Sequence, residues 1–214
     1  MPEVESTELS NVRGKGTPGR PQLKTADAEA LVLSEYGIEG VATLLPSDRD
    51  QNFVIRHGDD LRYILKISNS DADRAHLEAQ EMAMVLSEEA NLPVPRVISG
   101  ASGSSLLEFS HPATGTHLVR LLSYLDGVPI ARANPQSQSL LLELGECIGK
   151  FNAILAASDH AGAHRYFQWD LRVANQTIRA HMDRITDHER KVIVADVLDL
   201  FEHAAATELQ SLPH

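Results

Sequence analysis

The chain has 214 residues, of which 43% are hydrophobic and 23% charged, a composition that excludes a disordered, collagen-like or disulfide-scaffold protein. Nineteen Lys and Arg against thirty Asp and Glu leave a formal net charge of −11, so neither nucleic acid nor an anionic membrane is an expected partner. No apolar run approaches the roughly 20 residues of a membrane span, residues 1–20 lack the apolar core of a secretory signal, and the lone Cys147 cannot close an internal disulfide. The expected compartment is therefore the reducing cytoplasm.

Residues 1–24 are polar and scattered with Gly and Pro, the composition of a disordered tail. From Thr25, a plausible N-cap, Ala28, Leu31, Val32 and Tyr36 fall at helical spacing until Gly37 ends the pattern. Three strands are predicted next, over 41–45, 52–56 and 61–68, with His57-Gly58-Asp59-Asp60 as the tight turn of a hairpin. In the third strand Ile64, Lys66 and Ser68 share one face, while Tyr63, Leu65 and Ile67 share the other.

Residues 71–90 form an amphipathic helix whose apolar side is drawn through Ala75, Ala79, Met82, Ala83, Leu86 and Ala90, and the prolines of LPVPRV end it. Strands over 97–98, 105–109 and 117–122 complete an antiparallel sheet of about five strands, closed by the turn Tyr124 to Gly127. Beyond Pro135 the pattern is helical: 137–157 with Leu140, Leu141, Leu144, Ile148, Phe151 and Leu155 on one side, a helix over about 170–185, and a last helix over 188–212. That last helix carries Ile193, Val197, Leu200, Phe201 and Ala204 on one face. The predicted class is α+β, with a strand-rich lobe over 25–125 and a helical one over 126–214.

Lys66 is the first chemically informative residue. An ammonium in the middle of an apolar strand needs an anionic partner or an outward side. Spacing alone leaves open an edge-strand lysine that snorkels to solvent. The sharper reading pairs it with a carboxylate on the following helix, a device that holds nucleotide phosphates. Counting 100° per residue, Glu78 borders the apolar side of that helix, whereas Glu81 and Glu88 lie nearly opposite it. The turn Pro46 to Asn52 contains no glycine, so a G-x-G-x-x-G fingerprint is absent. Ser47, Gln51 and Asn52 are nonetheless candidate donors to phosphate oxygens, against the plainer reading of an ordinary polar turn.

Six blocks in one order, LLPSDRDQNFVIR, YILKISN, LEAQEMAM, LPVPRV, HLVRLLSYLDGVPIA and FQWDL, resemble the aminoglycoside phosphotransferase and choline kinase superfamily, in its hydroxylysine kinase branch. The resemblance runs from about Tyr36 to the end and implies a protein-kinase-like fold. It also implies transfer of the terminal phosphate of ATP or GTP, with Mg²⁺, to a hydroxyl on a small, often amine-bearing molecule. It assigns Lys66 to the phosphates, Glu78 to its helix partner with Glu81 second, and Leu122, Ser123, Tyr124 and Leu125 to the hinge that meets the purine.

The superfamily's catalytic loop, H-G/N-D-x-x-x-x-N followed by a metal-binding aspartate, is not matched. Asp170 to Asn175 fits D-x-x-x-x-N, but Gln168 replaces the histidine, no strand-borne aspartate follows, and FQWDL aligns with a helix ahead of the loop. By the resemblance the loop belongs within about ten residues beyond His214. No catalytic base or metal ligand is thus expected in this chain, which alone should be inactive. Two alternatives stand beside an incomplete kinase: a non-catalytic nucleotide-binding or interaction module, and the first domain of a larger fusion enzyme such as a kinase–aminotransferase. His160 and His164 lack a carboxylate at metal spacing, His188 and His203 read as surface residues, Cys147 reads as core, and the place of Trp169 is open.

Overall fold

The computed structural model describes residues 19–58, 61–112, 114–167 and 169–211. Helix α1 spans Thr25–Tyr36; its cap is Lys24, one residue ahead of the expected Thr25, because the Asp27 carboxylate accepts from Lys24 N at 2.9 Å. Gly37 closes it at φ 66, a left-handed conformation that costs a residue without Cβ nothing, and donates to Leu33 O.

Six strands follow: β1 Val41–Leu45, β2 Gln51–His57, β3 Leu61–Ile67, β4 Val97–Ile98, β5 Leu107–His111 and β6 Gly115–Ser123. They form one antiparallel sheet in the order β1-β2-β3-β6-β4, with β5 also paired to β6. Each of the six predicted strand segments is found, so the sheet has six strands and not about five; the short β4 and the β5–β6 hairpin both pair along β6. Asp59 and Asp60, half of the predicted hairpin turn between β2 and β3, lie outside the described residues.

Period-2 alternation gives the sheet two unlike sides. Phe53, Ile55, Leu65, Ile67, Val119 and Leu121 are buried against Leu23, Ala28, Leu31 and Val32 from α1 and the segment before it. Each such side chain contributes about 1.5–3 kcal/mol when removed from water. The opposite side is different, and it positions the candidate site described below.

Residues 19–24, expected to be part of the tail, are ordered against this core. Pro21 and Leu23 are buried, and the Gln51 amide exchanges two 2.8 Å hydrogen bonds with the Leu23 backbone, accepting from N and donating to O. Residues 1–18 lie outside the described residues.

Helix α2, Arg74–Glu89, starts where the Asp73 carboxylate accepts from Ala75 N at 2.8 Å. Its buried residues are Leu77, Ala79 and Ser87, with Gln80 and Glu81 half-buried and Glu78 exposed. The face is turned from the one expected: Ala79 is buried as predicted, but the other buried residues, Leu77 and Ser87, lie outside that side, and Ala90 is exposed. Helix α3, Gln138–Ala156, follows the sheet in the same compact unit, which takes in the described residues up to Ser158. Leu141, Leu144 and Ile148 of its predicted apolar side are exposed.

Residues 159–214 form the second unit. The helix expected over 170–185 is found in pieces. Single turns at Leu171–Val173 and Met182–Arg184 flank a short α4, Ala174–Arg179. The His181 ring engages Thr177 O, the carbonyl that the next helical turn would need. Helix α5 runs His188–Ala204 and, after Ala205, α6 runs Ala206–Ser211. On α5 Leu198 is buried while Ile193, Val197 and Leu200 are exposed, the reverse of the expected facing. Arg179 ties α4 to α5 through Asp199 and Glu202 at 3.0 and 3.1 Å. No helix among the described residues is long and apolar enough to cross a membrane.

Candidate nucleotide-binding site

The side of the sheet turned away from α1 carries a polar row. Asn52 on β2, Lys66 on β3 and Arg120 on β6 are successive partners across the three central strands. The next row is Val54, Ile64, Leu122 and Val97, an apolar strip beside the charges. Lys66 thus lies on the same side as Ile64, as its spacing predicts, and it is a central-strand residue with a neighbour on each side. The edge-strand reading is excluded.

Burial pushes the Lys66 ammonium below its ordinary pKa; Arg120 adds a like charge in the same direction, and Asp50 from the β1–β2 turn pulls back. Asp50 is itself engaged, its Oδ1 accepting from Asn69 N at 3.0 Å and Asn69 Nδ2 at 3.1 Å. Lys66 makes no ion pair within 4.0 Å among the described residues. Asn52 Nδ2 donates to Ser47 Oγ at 2.9 Å, which brings two of the predicted turn residues to the lysine row. Three buried polar atoms on this side have no hydrogen-bond partner: Asn52 Oδ1, Ser68 Oγ and Arg120 Nε. Such atoms are uncommon in folded proteins, and here they gather around one lysine.

Two predicted residues fall elsewhere. Gln51 points to the other side of the sheet and spends its amide on Leu23, because side chains one residue apart on a strand face opposite ways. Glu78 is turned to solvent with Arg74 at 4.0 Å, so the structure does not bring it to Lys66. The inward carboxylate of α2 is Glu81. Its Oε2 accepts from Ser105 Oγ at 2.6 Å and its Oε1 is buried without a partner.

Arg120 was not singled out by the sequence. Its relative exposure is 2%. Nη1 donates to Leu77 O at 3.4 Å and Nη2 to Gln80 Oε1 at 3.0 Å, joining β6 to α2, while burial lowers its pKa and Glu81 and Asp50 oppose that. The available signal was the one that exposed Lys66: a cation in an apolar strand, Val119-Arg120-Leu121-Leu122.

At the predicted hinge, Leu122 is buried, Ser123 and Tyr124 are half-buried and Leu125 is exposed. Ser123 N donates to Arg96 O at 2.9 Å and Tyr124 N to Arg62 O at 3.2 Å. Leu125 is the first residue past β6 whose amide has no backbone partner among the described residues. The Arg62 guanidinium lies 4.2 Å over the Tyr124 ring and pairs with Asp126. Beside them is a recess of about 360 Å³, lined by Arg62, Glu88, Arg96, Ser123, Tyr124 and Asp126 among others. Small-molecule sites fall in the range of roughly 300–1,000 Å³.

In the second unit Asp170 caps its own turn, accepting from Arg172 N at 2.9 Å with Arg172 Nη1 at 3.8 Å from Oδ2, and Asn175 Oδ1 is buried without a partner. Trp169 is exposed. His164 pairs with Asp159 and not with a metal set. Among the described residues no group of three His, Cys, Asp or Glu side chains comes together.

The family model for the phosphotransferase enzyme family matches residues 41–214. Hydroxylysine kinase from Mus musculus is 29% identical over 208 residues, covering 89% of this chain and 54% of that protein. Its Bos taurus counterpart is 30% identical over 209 residues at the same coverage. The chain spans about half the length of the curated relatives it matches. Among solved structures, the amicoumacin kinase hAmiN in complex with AMP-PNP, Ca²⁺ and Ami superposes with a TM-score of 0.64 at 14% identity, over 90% of this chain and 55% of that one. A microcompartment-associated aminopropanol kinase superposes at 0.56 and 16% identity, over 73% and 48%. At those identities the structures establish the α+β, protein-kinase-like fold alone. By the match of its sequence, the chain belongs to the phosphotransferase enzyme family.

Proposed function

We propose that this chain is the nucleotide-gripping portion of a small-molecule kinase, one that moves the terminal phosphate of ATP or GTP to a hydroxyl of a small amine-bearing molecule. The observation that carries the reading is the row Asn52–Lys66–Arg120 across β2, β3 and β6. It sets a half-buried ammonium, without an ion-pair partner among the described residues, beside partnerless polar atoms on the side of the sheet that the α1 core leaves unused. An anion with several acceptor oxygens answers that environment, and phosphate is such an anion.

Within this reading Lys66 meets the phosphates, Ser47 and Asn52 line the turn above them, and the backbone at Leu125 is the hinge group open to a purine. Leu122 is an apolar wall beside the row. Glu78 has no part in gripping the phosphates. The kinases named above support the phosphoryl-transfer chemistry, and AMP-PNP in one of their structures supports a nucleotide. The single cysteine and the absence of disulfide pairing favour the cytoplasm.

The test is calorimetric titration of the full chain with ATP and with GTP, repeated on Lys66→Ala. We expect binding of at least one nucleotide, weakened about tenfold or more in the variant, which corresponds to about 1.4 kcal/mol, with the urea midpoint retained. Equal affinity in the variant, or no binding by the parent chain, would overturn the reading.

A further inference from the structure

The chain that leaves β6 is held to the sheet by one residue of β3. Tyr124 N donates to Arg62 O at 3.2 Å, among the described residues the last backbone bond that ties this segment to the sheet. The Arg62 side chain then reaches further along the same segment. Its guanidinium lies 4.2 Å over the Tyr124 ring and pairs with the Asp126 carboxylate. Contacts on either side thus bracket Leu125, whose own amide has no backbone partner among the described residues.

Sheet pairing does not call for an arginine here. Arg62 stands directly opposite Arg56 in the β2–β3 ladder, and like charges in that relation repel. Its side chain is 29% exposed and that of Asp126 78%, and an ion pair so open to water adds little to folding stability. A guanidinium does combine a face that stacks on an aromatic ring with an edge that donates to a carboxylate, which a lysine's point charge matches poorly. The recess of about 360 Å³ lies against the same residues, so on that flank open space, not packed side chains, faces Tyr124 and Asp126.

Arg62 also shares the side of β3 that carries Ile64 and Lys66. Four residues separate it from Lys66, about 13 Å at the usual rise of a strand. The apolar strip of Val54, Ile64 and Leu122 lies between these two ends. An extended nucleotide laid along that strip reaches from one end with its base to the other with its phosphates.

We propose that Arg62 is a positioning residue: by holding Tyr124 and Asp126 it fixes the backbone between them, so that the Leu125 N–H is presented to a purine whose phosphates meet Lys66. The purine half of this statement rests on the nucleotide-binding reading above; the bracketing half does not.

Two measurements on the full chain test it. The first is the ¹⁵N order parameter of the Leu125 amide without nucleotide, assigned by the loss of its resonance in Leu125→Met. The parent amide should be rigid, at about 0.85, and Arg62→Met should lower it below about 0.6. Asp126→Asn, a change at an exposed carboxylate, should lower it as well and carries the test if the methionine variant fails to fold. The second is calorimetric titration with ATP, with GTP and with inorganic tripolyphosphate, which has no base. Each variant should weaken nucleotide binding about threefold or more and leave tripolyphosphate affinity within about twofold of the parent, a split that general damage to the fold would not give. The double variant should bind as Arg62→Met alone, since both changes break the same contact. A parent amide that is already flexible, an order parameter unmoved in both variants, nucleotide affinity unchanged in both, or nucleotide and tripolyphosphate weakened alike overturns the proposal. If the order parameters fall as stated and the parent chain binds neither ATP nor GTP, the nucleotide reading fails and the bracketing stands.

Discussion

The two sides of the central sheet are built from the same strands to opposite ends. One is closed: Phe53, Ile55, Leu65, Ile67, Val119 and Leu121 meet α1 and form the core. The other carries Asn52, Lys66 and Arg120 in a row, with polar atoms left without partners. Adjacent residues of one strand, Leu65 and Lys66, therefore answer to different demands. The first is chosen for the area it removes from water, the second for a charge held at a cost to the fold.

The largest effect that separates the sides is on stability. Phe53→Ala on the closed side should cost about 3–5 kcal/mol in urea unfolding, while Lys66→Ala should leave the midpoint unchanged or raised, since it removes a desolvated charge. A Phe53 variant as stable as the parent would mean that the core lies elsewhere.

Gln51→Ala comes next. It leaves the buried N–H and C=O of Leu23 without their partner, at a cost of about 1–3 kcal/mol per group left unsatisfied. Its ATP affinity should match the parent's. A tenfold loss of affinity at unchanged stability would return Gln51 to the lysine row.

The subtlest expectation concerns pH. The Lys66 pKa is lowered in the fold, first by burial and then by Arg120, and a phosphate needs the protonated form. Nucleotide affinity should be full below that lowered value and decline as pH rises through it, with a midpoint under that of a free lysine. Stability moves the other way: between the folded and unfolded values the unfolded chain binds more protons, so the contribution of this group becomes less unfavourable as pH rises. Affinity flat to pH 11 would place the ammonium outside the site.

Much of this contrast was legible in the sequence. LRYILKIS states by alternation alone that Lys66 sides with Ile64 and against Leu65, and the structure agrees. What alternation cannot state is which side meets which helix. Gln51 was assigned to the phosphates because its residue type suits them, but its parity matches Phe53 and Ile55, and that parity sends it to Leu23. On α2 the spacing of Ala75, Ala79, Met82, Ala83, Leu86 and Ala90 predicts the buried side, yet of these only Ala79 is buried, beside Leu77 and Ser87. Small side chains hardly bias a helix, and a contact from outside it, Arg120 on Leu77 and Gln80, accompanies the rotation that buries Glu81 and frees Glu78. The same limit explains α5, where a well-formed apolar stripe at Ile193, Val197 and Leu200 is exposed. Periodicity names the residues that share a face and is silent on the neighbour that face will have.

The double hydrogen bond between Gln51 and Leu23 has a practical consequence for anyone shortening this chain. A protein started at Thr25, the first residue of helix α1, would look complete by its secondary structure. It would lack the buried Pro21 and Leu23, the second a member of the sheet's core, and would bury a primary amide with nothing to hold. Arg20, which donates to Ser47 O at 2.8 Å, would go with them and release the turn next to Lys66. Any trimmed version meant to keep the lysine row intact should begin no later than Gly19, whose carbonyl accepts from Ser70 N.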